Sequence, residues 1–119
     1  MDEDVKFDLK EIDGVGVFSL DEERFDSQIA GLVKGELTVY LNTTEIDKLV
    51  FDLSQVEYCD SSGLSSILLA FRILQSRGGK IRIASPQKSV RTLIKISQLD
   101  KVLPISETVE EAISALNKS

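Results

Sequence analysis

The sequence predicts an α/β domain in which a mixed, mostly parallel five-stranded sheet begins with a β-hairpin and carries about four helices. Two alternating segments flank an Asp13-Gly14 pair at the start of the chain, which is a strong hairpin signal. After them, short apolar segments alternate with helical patterns, and this order implies parallel strands joined by right-handed crossovers. A length of 119 residues fits one domain, so we assign residues 1–119 to a single domain.

The hairpin and the first helix are predicted from periodicity. Apolar residues alternate with polar ones on both sides of Asp13-Gly14; they are Val5, Phe7, Leu9, Val15 and Val17. Within residues 27–42, apolar residues recur every four positions, which predicts a helix with Asp26 or Ser27 as its N-cap.

Three further strands and three further helices complete the prediction. The strands are expected at 48–53, 80–85 and 102–105, and the helices at 62–77, from Pro86 to about Ser97, and from Thr108 onward. Gly78-Gly79 supplies a stop for the helix at 62–77, and Thr108 with Glu111 has capping-box spacing. Pro104 places the last strand at a sheet edge, since proline has no N–H to donate to a neighbouring strand.

Composition excludes several classes of function. Hydrophobic residues make up 42% and charged residues 29%, as in a globular protein, and the net charge of −6 argues against general nucleic-acid binding. There is no histidine, so histidine-dependent triads and histidine metal sites are excluded, and no cofactor or metal is expected. A lone cysteine, an acidic N-terminus without a signal pattern and short apolar runs predict a cytoplasmic protein that does not bind membranes.

The segment Asp60-Ser61-Ser62-Gly63 raises the main functional question. It follows the strand at 48–53, at the sheet end where ligand sites of parallel sheets gather, and it opens the clearest helix. Asp60 and Ser61 are good N-caps, and Gly63 permits a tight turn. On the residues alone, the segment is either only a helix start or a helix start whose hydroxyl is a chemical target.

The helix behind this segment has a second apolar face. Its core-facing stripe is expected to consist of Leu64, Ile67, Leu68, Phe71 and Leu74. Ser62, Ser66, Leu69 and Ile73 cluster on roughly the opposite side. This second face is either an exposed docking surface or evidence that the helix is buried on two sides.

Residues 48–116 resemble the STAS domain of bacterial anti-sigma factor antagonists. The resemblance rests on the strand VFDLS, the motif V-x-Y-x-D-S-S-G-L, the helix that ends in Gly-Gly, the strand IRIAS, and the segments LIKISQLDKVLPI and TVEEA. The first 45 residues match less well: the family's Gly-Glu-Leu-Asp-like element has its best counterpart in Glu23-Arg24-Phe25-Asp26, which lacks the glycine. Asp26 then matches the family's acidic residue near the phosphorylation site.

The resemblance implies a function without catalysis. Such proteins bind an anti-sigma factor that is also a serine kinase and thereby free a sigma factor; the kinase phosphorylates the serine directly after the turn aspartate, and a serine phosphatase resets it. That serine is Ser61 here, with Ser62 as the nearest competitor. The expected partner-binding residues are Asp26, Asp60, Ser61, Ser62, Gly63, Ser66, Leu69 and Ile73.

Three other interpretations remain. An enzyme is disfavoured because Ser61 has no histidine base or Ser-x-x-Lys partner, no nucleotide-binding motif occurs, and Asp60 would raise the pKa of Cys59. A phospho-receiver with Asp52 as acceptor is disfavoured by the opening hairpin, and Asp52 is expected to cap the turn that leaves its strand. A STAS-like scaffold or adaptor that is not phosphorylated stays open.

Overall fold

The structure is a computed structural model and describes residues 4–118. Its strands are β1 (Phe7–Ile12), β2 (Val15–Leu20), β3 (Arg24–Phe25), β4 (Lys48–Asp52), β5 (Tyr58–Cys59), β6 (Lys80–Ala84) and β7 (Ile105–Ser106). Its helices are α1 (Ser27–Thr43), α2 (Ser61–Gln75), α3 (Lys88–Ile96) and α4 (Val109–Lys118), and a 3-10 turn spans Leu99–Lys101.

Five strands form one mixed sheet, as predicted, and their order in it is β1-β2-β4-β6-β7. β1 is antiparallel to β2, and the other pairs are parallel. From β2 onward each crossover moves to the next strand in the same direction. Right-handed crossovers that all move one way place their helices on one face of the sheet, which explains why α1, α2 and α3 share a face.

The core lies on both faces of the sheet. On the face of α1, α2 and α3, the ring of Phe51 packs 5.0 Å from that of Phe18 and 5.8 Å from that of Phe25. On the other face, Val17 and Val50 belong to a smaller cluster with the apolar side of α4. Because successive side chains of a strand point to opposite faces, β2 and β4 are apolar on both sides.

Local signals explain most element boundaries. Asp13 and Gly14 have φ values of +54° and +80°, as a tight hairpin turn of this hand requires. After α2, Gly78 has φ +76° and the N–H of Gly79 donates to the carbonyl of Leu74 at 2.7 Å, which is a C-terminal cap. At the start of α4, the N–H of Glu111 donates to Thr108 Oγ1 at 3.0 Å.

Besides the start of α3, which lies at Lys88 with Gln87 as its N-cap and not at Pro86, two features differ from the sequence-based prediction. The strand expected at 102–105 begins only at Ile105, because a 3-10 turn occupies Leu99–Lys101 and Pro104 has no N–H for the ladder. It does lie at the sheet edge, as Pro104 indicated. The second feature was not predicted: β3 and β5 form a separate two-stranded parallel sheet.

Candidate partner-binding site

The small β3–β5 sheet places two helix starts side by side. Phe25 pairs with Cys59 in parallel register, so Asp26 and Asp60 follow at equivalent positions. The backbone N–H of Asp60 also donates to the carbonyl of Phe25 at 3.3 Å. As a result α1 and α2 begin next to each other at the same end of the domain.

Both aspartates are N-caps. Asp60 Oδ1 accepts from the N–H of Ser62 at 2.9 Å and of Gly63 at 3.2 Å. Asp26 Oδ1 accepts from the N–H of Gln28 at 3.1 Å, while its Oδ2 pairs with Arg24 Nε at 3.2 Å. The expectation that Asp60 caps α2 is confirmed, and of the two residues considered for α1 the cap is Asp26.

The two serines differ in exposure. Ser61 is the first residue of α2 and is exposed, whereas Ser62 is half-buried. Both line a shallow depression of about 420 Å³ between the two helices, together with Ser27, Ala30, Gly31, Lys34 and Ser65. Lys34 is the charged residue among them. Hydroxyl groups therefore face solvent beside a single ammonium group.

Gly63 is required by close packing rather than by the turn for which it was predicted. Its φ is not positive, so the backbone conformation itself would suit any residue. A Cβ at this position would lie 2.8 Å from Cys59 Sγ and 2.9 Å from Phe25 Cγ, and still closer to the carbonyl oxygen of Phe25. The missing side chain lets the first turn of α2 lie directly against β3.

Part of the expected second face of α2 is internal. Ser66 is fully buried, and its Oγ donates to the carbonyl of Ala30 in α1 at 3.0 Å. Ile73 is half-buried and packs against the main core, and Leu69 is half-buried as well. The alternative of a helix buried on two sides therefore holds for Ser66, because α1 packs along that side of α2. Ser66 offers no free surface to a partner.

Cys59 is a buried thiol that the site does not expose. Burial, and secondarily the negative charge of Asp60, raises the pKa of Cys59 to about 12. The predicted direction of the shift is confirmed. A thiol that keeps its proton at neutral pH is a poor nucleophile, so Cys59 acts as a core residue.

Arg24 and Tyr58 also belong to this surface, although they are not among the predicted partner-binding residues. The Arg24 guanidinium lies 4.3 Å from the centre of the Tyr58 ring, and 44% of Tyr58 is exposed. Aromatic and arginine side chains are the types that most often anchor protein interfaces. Their pairing follows from the β3–β5 register, which periodicity could not reveal because each strand has two residues.

Asp52 is engaged as a turn residue at the end of β4. Its carboxylate accepts from the N–H of Ser54 and from Ser19 Oγ, each at 3.0 Å. This is the turn-capping role expected for Asp52.

Metal sites and membrane spans are two further features that residues 4–118 do not show. No group of acidic, histidine or cysteine side chains in this range has the arrangement of a metal site, and none of its helices has the length and apolar character of a membrane span.

Comparison with known proteins agrees with the fold. The family model described as the STAS domain matches residues 6–112. The chain belongs to the STAS domain family. An anti-sigma F factor antagonist of Paenibacillus polymyxa is 25% identical over 103 residues, which cover 87% of each protein.

Solved structures of anti-sigma factor antagonists superpose on this chain over nearly its whole length. An anti-sigma factor antagonist from Mycobacterium paratuberculosis matches with a TM-score of 0.85 and 24% identity, covering 98% of this chain and 97% of that one. The anti-sigma factor antagonist SpoIIAA in its unphosphorylated form matches with a TM-score of 0.81 and 20% identity, over 96% and 98% of the two chains. The phosphorylated form of SpoIIAA from Bacillus matches with a TM-score of 0.71, 20% identity and coverage of 92% and 98%. At these identities the likeness shows the fold.

Proposed function

We propose that this STAS domain is an anti-sigma factor antagonist whose activity is switched by phosphorylation of Ser61. Its unphosphorylated form binds an anti-sigma factor that is also a serine kinase, and this binding releases a sigma factor. Phosphorylation of Ser61 ends the interaction, and a serine phosphatase restores it. The observation that carries the proposal is the exposed Ser61 hydroxyl on the first turn of α2, directly after the capping Asp60.

Exposure favours Ser61 over Ser62 as the acceptor. A kinase must surround the hydroxyl that it modifies, and Ser62 is half-buried between the starts of α1 and α2. The N–H of Ser62 is also bound to the Asp60 carboxylate, which fixes the backbone of the turn at that residue. Neither restriction applies to Ser61, which is exposed at the first position of the helix.

A phosphate on Ser61 is expected to change the surface and leave the fold intact. It would add about −1.5 to −2 charges at neutral pH. The positive ends of the dipoles of α1 and α2 favour negative charge here, while the carboxylates of Asp26 and Asp60 oppose it. The two effects offset each other within the domain. A partner that presents acidic groups or desolvates Ser61 would feel the added charge directly.

Affinity capture with three proteins tests the proposal. Wild type, Ser61→Ala and Ser61→Asp are immobilised and exposed to lysate of the bacterium that encodes the chain, and bound proteins are identified by mass spectrometry. We expect wild type and Ser61→Ala to retain an anti-sigma factor of the serine-kinase class and Ser61→Asp to lose it. The recovered kinase is then purified and incubated with the chain and ATP, and the phosphorylated residue is mapped.

Ser114→Asp is the matched control. Ser114 is exposed on α4, on the other face of the sheet, so an acidic residue there adds the same charge away from the candidate site. Retention of the kinase by Ser114→Asp shows that position, and not net charge, decides binding. Phosphate mapped to Ser62 alone would refute the assignment of Ser61. Capture of the same partners by all variants would favour the unphosphorylated adaptor.

A further inference from the structure

The edge of the main sheet is open beside the first half of β6. β7 has two residues and pairs only with Ile83 and Ala84 of β6. The stretch from Lys80 to Arg82 therefore extends beyond its neighbour on this side, while it pairs with β4 on the other. Three residues of a strand span about 10 Å.

Hydrogen-bond directions show that the open edge presents the backbone groups of Ile81, although the residue belongs to the core and is only 3% exposed. The N–H of Lys80 donates to Asp47, and the carbonyl of Ala84 accepts from Leu53, so alternate residues from Lys80 onward face β4. The N–H of Ile83 instead donates to Pro104 on the β7 side. The backbone groups of Ile81 point to the same side as those of Ile83, because the two residues are two positions apart in the strand. If the pairing with β7 continued, the carbonyl of Ile81 would accept from the N–H of residue 104, but Pro104 has no N–H. Among the described residues, the backbone N–H and carbonyl of Ile81 have no hydrogen-bond partner.

A groove of about 350 Å³ runs along this open edge. α2 contributes Phe71 and Gln75 to one wall, α4 contributes Ala115 and Leu116 to the other, and Val102 with Pro104 closes the end at β7. The groove is thus a slot between the two helical layers at the level of the sheet.

The charge of the groove is positive although the whole chain carries −6. The charged residues that line it are Lys80 and Arg82. Arg82 is held by a hydrogen bond from Nε to Ser106 Oγ of 2.8 Å, whereas Lys80 is exposed. An occupant with acidic side chains would be attracted, and the basic residues would repel a basic one.

We propose that this groove binds an extended acidic peptide segment of a partner protein, which adds a short strand to the edge of β6. Its backbone bonds to the N–H and carbonyl of Ile81, its apolar side chains contact Phe71 and Val102, and its carboxylates lie near Lys80. Addition of a strand to an open sheet edge is a recurrent mode of peptide recognition, in which backbone bonds give affinity and side-chain pockets give specificity.

This surface is separate from the candidate partner-binding site. Phe71 and Gln75 follow Ser61 on the same helix by ten and fourteen residues, which is roughly 15 to 20 Å along α2. The proposed strand addition therefore does not depend on phosphorylation of Ser61, and both surfaces can be occupied together.

Amide exchange and peptide titration on ¹⁵N-labelled protein test the proposal. In the free protein we expect the Ile81 amide to exchange with solvent at least tenfold faster than the hydrogen-bonded Ile83 amide. The probe is an acetylated, amidated heptapeptide in which valine alternates with glutamate. Saturable shifts of Ile81 and its neighbours, together with slower exchange of the Ile81 amide, are the expected result.

Matched peptides and variants make the test specific. A heptapeptide of alternating valine and lysine, and the acidic peptide with alternate backbone nitrogens methylated, should each bind at least fivefold more weakly. Lys80→Glu should weaken the acidic peptide about fivefold, and Lys88→Glu, which changes an exposed lysine at the start of α3, should leave it unchanged. Ala115→Phe, which fills the slot, should abolish binding, with its native spectrum showing that it still folds.

Three results would overturn the inference. Strong protection of the Ile81 amide in the free protein would mean that the edge is closed. The absence of shifts around Ile81 at millimolar acidic peptide would mean that Pro104 and Lys80 only guard the edge against pairing, as such residues do in many sheets. Equal binding of the acidic and basic peptides would mean that the slot does not recognise charge.

Discussion

Replacing Gly63 with alanine tests whether the first turn of α2 is built against β3 as the structure shows. An added Cβ would meet Cys59 Sγ at 2.8 Å and Phe25 Cγ at 2.9 Å, and would press on the Phe25 carbonyl oxygen. A backbone carbonyl cannot swing away as the end of a flexible side chain can. The turn must therefore move away from β3, or β3 must move away from β5.

The expected magnitude combines two opposing effects. Overpacking of this kind costs about 1–3 kcal/mol, and obstruction by backbone places this case near the upper value. Alanine gains about 1 kcal/mol over glycine inside a helix. We therefore expect Gly63→Ala to lower the free energy of unfolding by about 2 kcal/mol, and the melting temperature by about 8 °C for a domain of this size.

Gly35→Ala is the matched control. Gly35 is exposed inside α1, and a Cβ there would meet nothing within 4 Å. The same chemical change should raise the free energy of unfolding by about 1 kcal/mol through helix propensity alone. Urea unfolding followed by far-ultraviolet circular dichroism gives both values, and a constant slope against urea shows that the two variants unfold to the same extent. If Gly63→Ala were as stable as Gly35→Ala, α2 would not pack against β3 as closely as the structure shows.

Three further outcomes follow from the site. Asp60→Ala should lose about 1–2 kcal/mol of unfolding free energy because two backbone N–H groups lose their acceptor, while Asp60→Asn should lose less; chemical unfolding measures both. Cys59 should react slowly with a disulfide reagent at pH 8 in the native protein and rapidly in urea. Its pKa of about 12 lies above the ordinary thiol value, so the folded state keeps a proton that the unfolded state loses, and stability should fall as pH rises from about 9 toward 12. The fall should be smaller in Cys59→Ala, where the pKa of Tyr40, raised by burial, still contributes in the same direction. Ser61→Asp should keep the wild-type dichroism spectrum and melting temperature, and a change of more than about 5 °C would contradict the expectation that charge there acts on the partner surface.

The long elements could be predicted because each carries its own periodicity and boundary residues. α2 has an aspartate before it, a repeating apolar stripe within it and Gly78-Gly79 after it, and the structure places its ends within two residues of the prediction. β4 could be recognised as a central strand because a run of apolar residues with few polar interruptions suits a strand covered on both faces.

The site could be predicted in part. The Asp60 cap and the exposed Ser61 follow from local rules, because a cap and the residue after it are fixed by a few neighbouring side chains. The burial of Ser66 could not be predicted, since it depends on how closely α1 approaches α2. A helical wheel shows which residues share a side of a helix, but it does not show whether another helix covers that side.

The β3–β5 pairing is the clearest case of information that lies outside any local window. Each strand has two residues, too few for a period-two pattern, and the partners Phe25 and Cys59 are separated by 34 positions in the chain. Without this pairing, Asp26 and Asp60 are two unrelated helix caps. With it, they are equivalent caps of two neighbouring parallel helices.

This arrangement bears on how a phosphate on Ser61 would act, if Ser61 is the acceptor as proposed. A helix start usually stabilises a phosphate through its free N–H groups, but here the Asp60 carboxylate already accepts from Ser62 and Gly63. The phosphate would have to displace that carboxylate or remain outside the turn. Displacement would bring two anions to one helix start, so the phosphate is better solvated outside it. Its charge is then left on the surface beside α1, where a partner and not the fold must accommodate it.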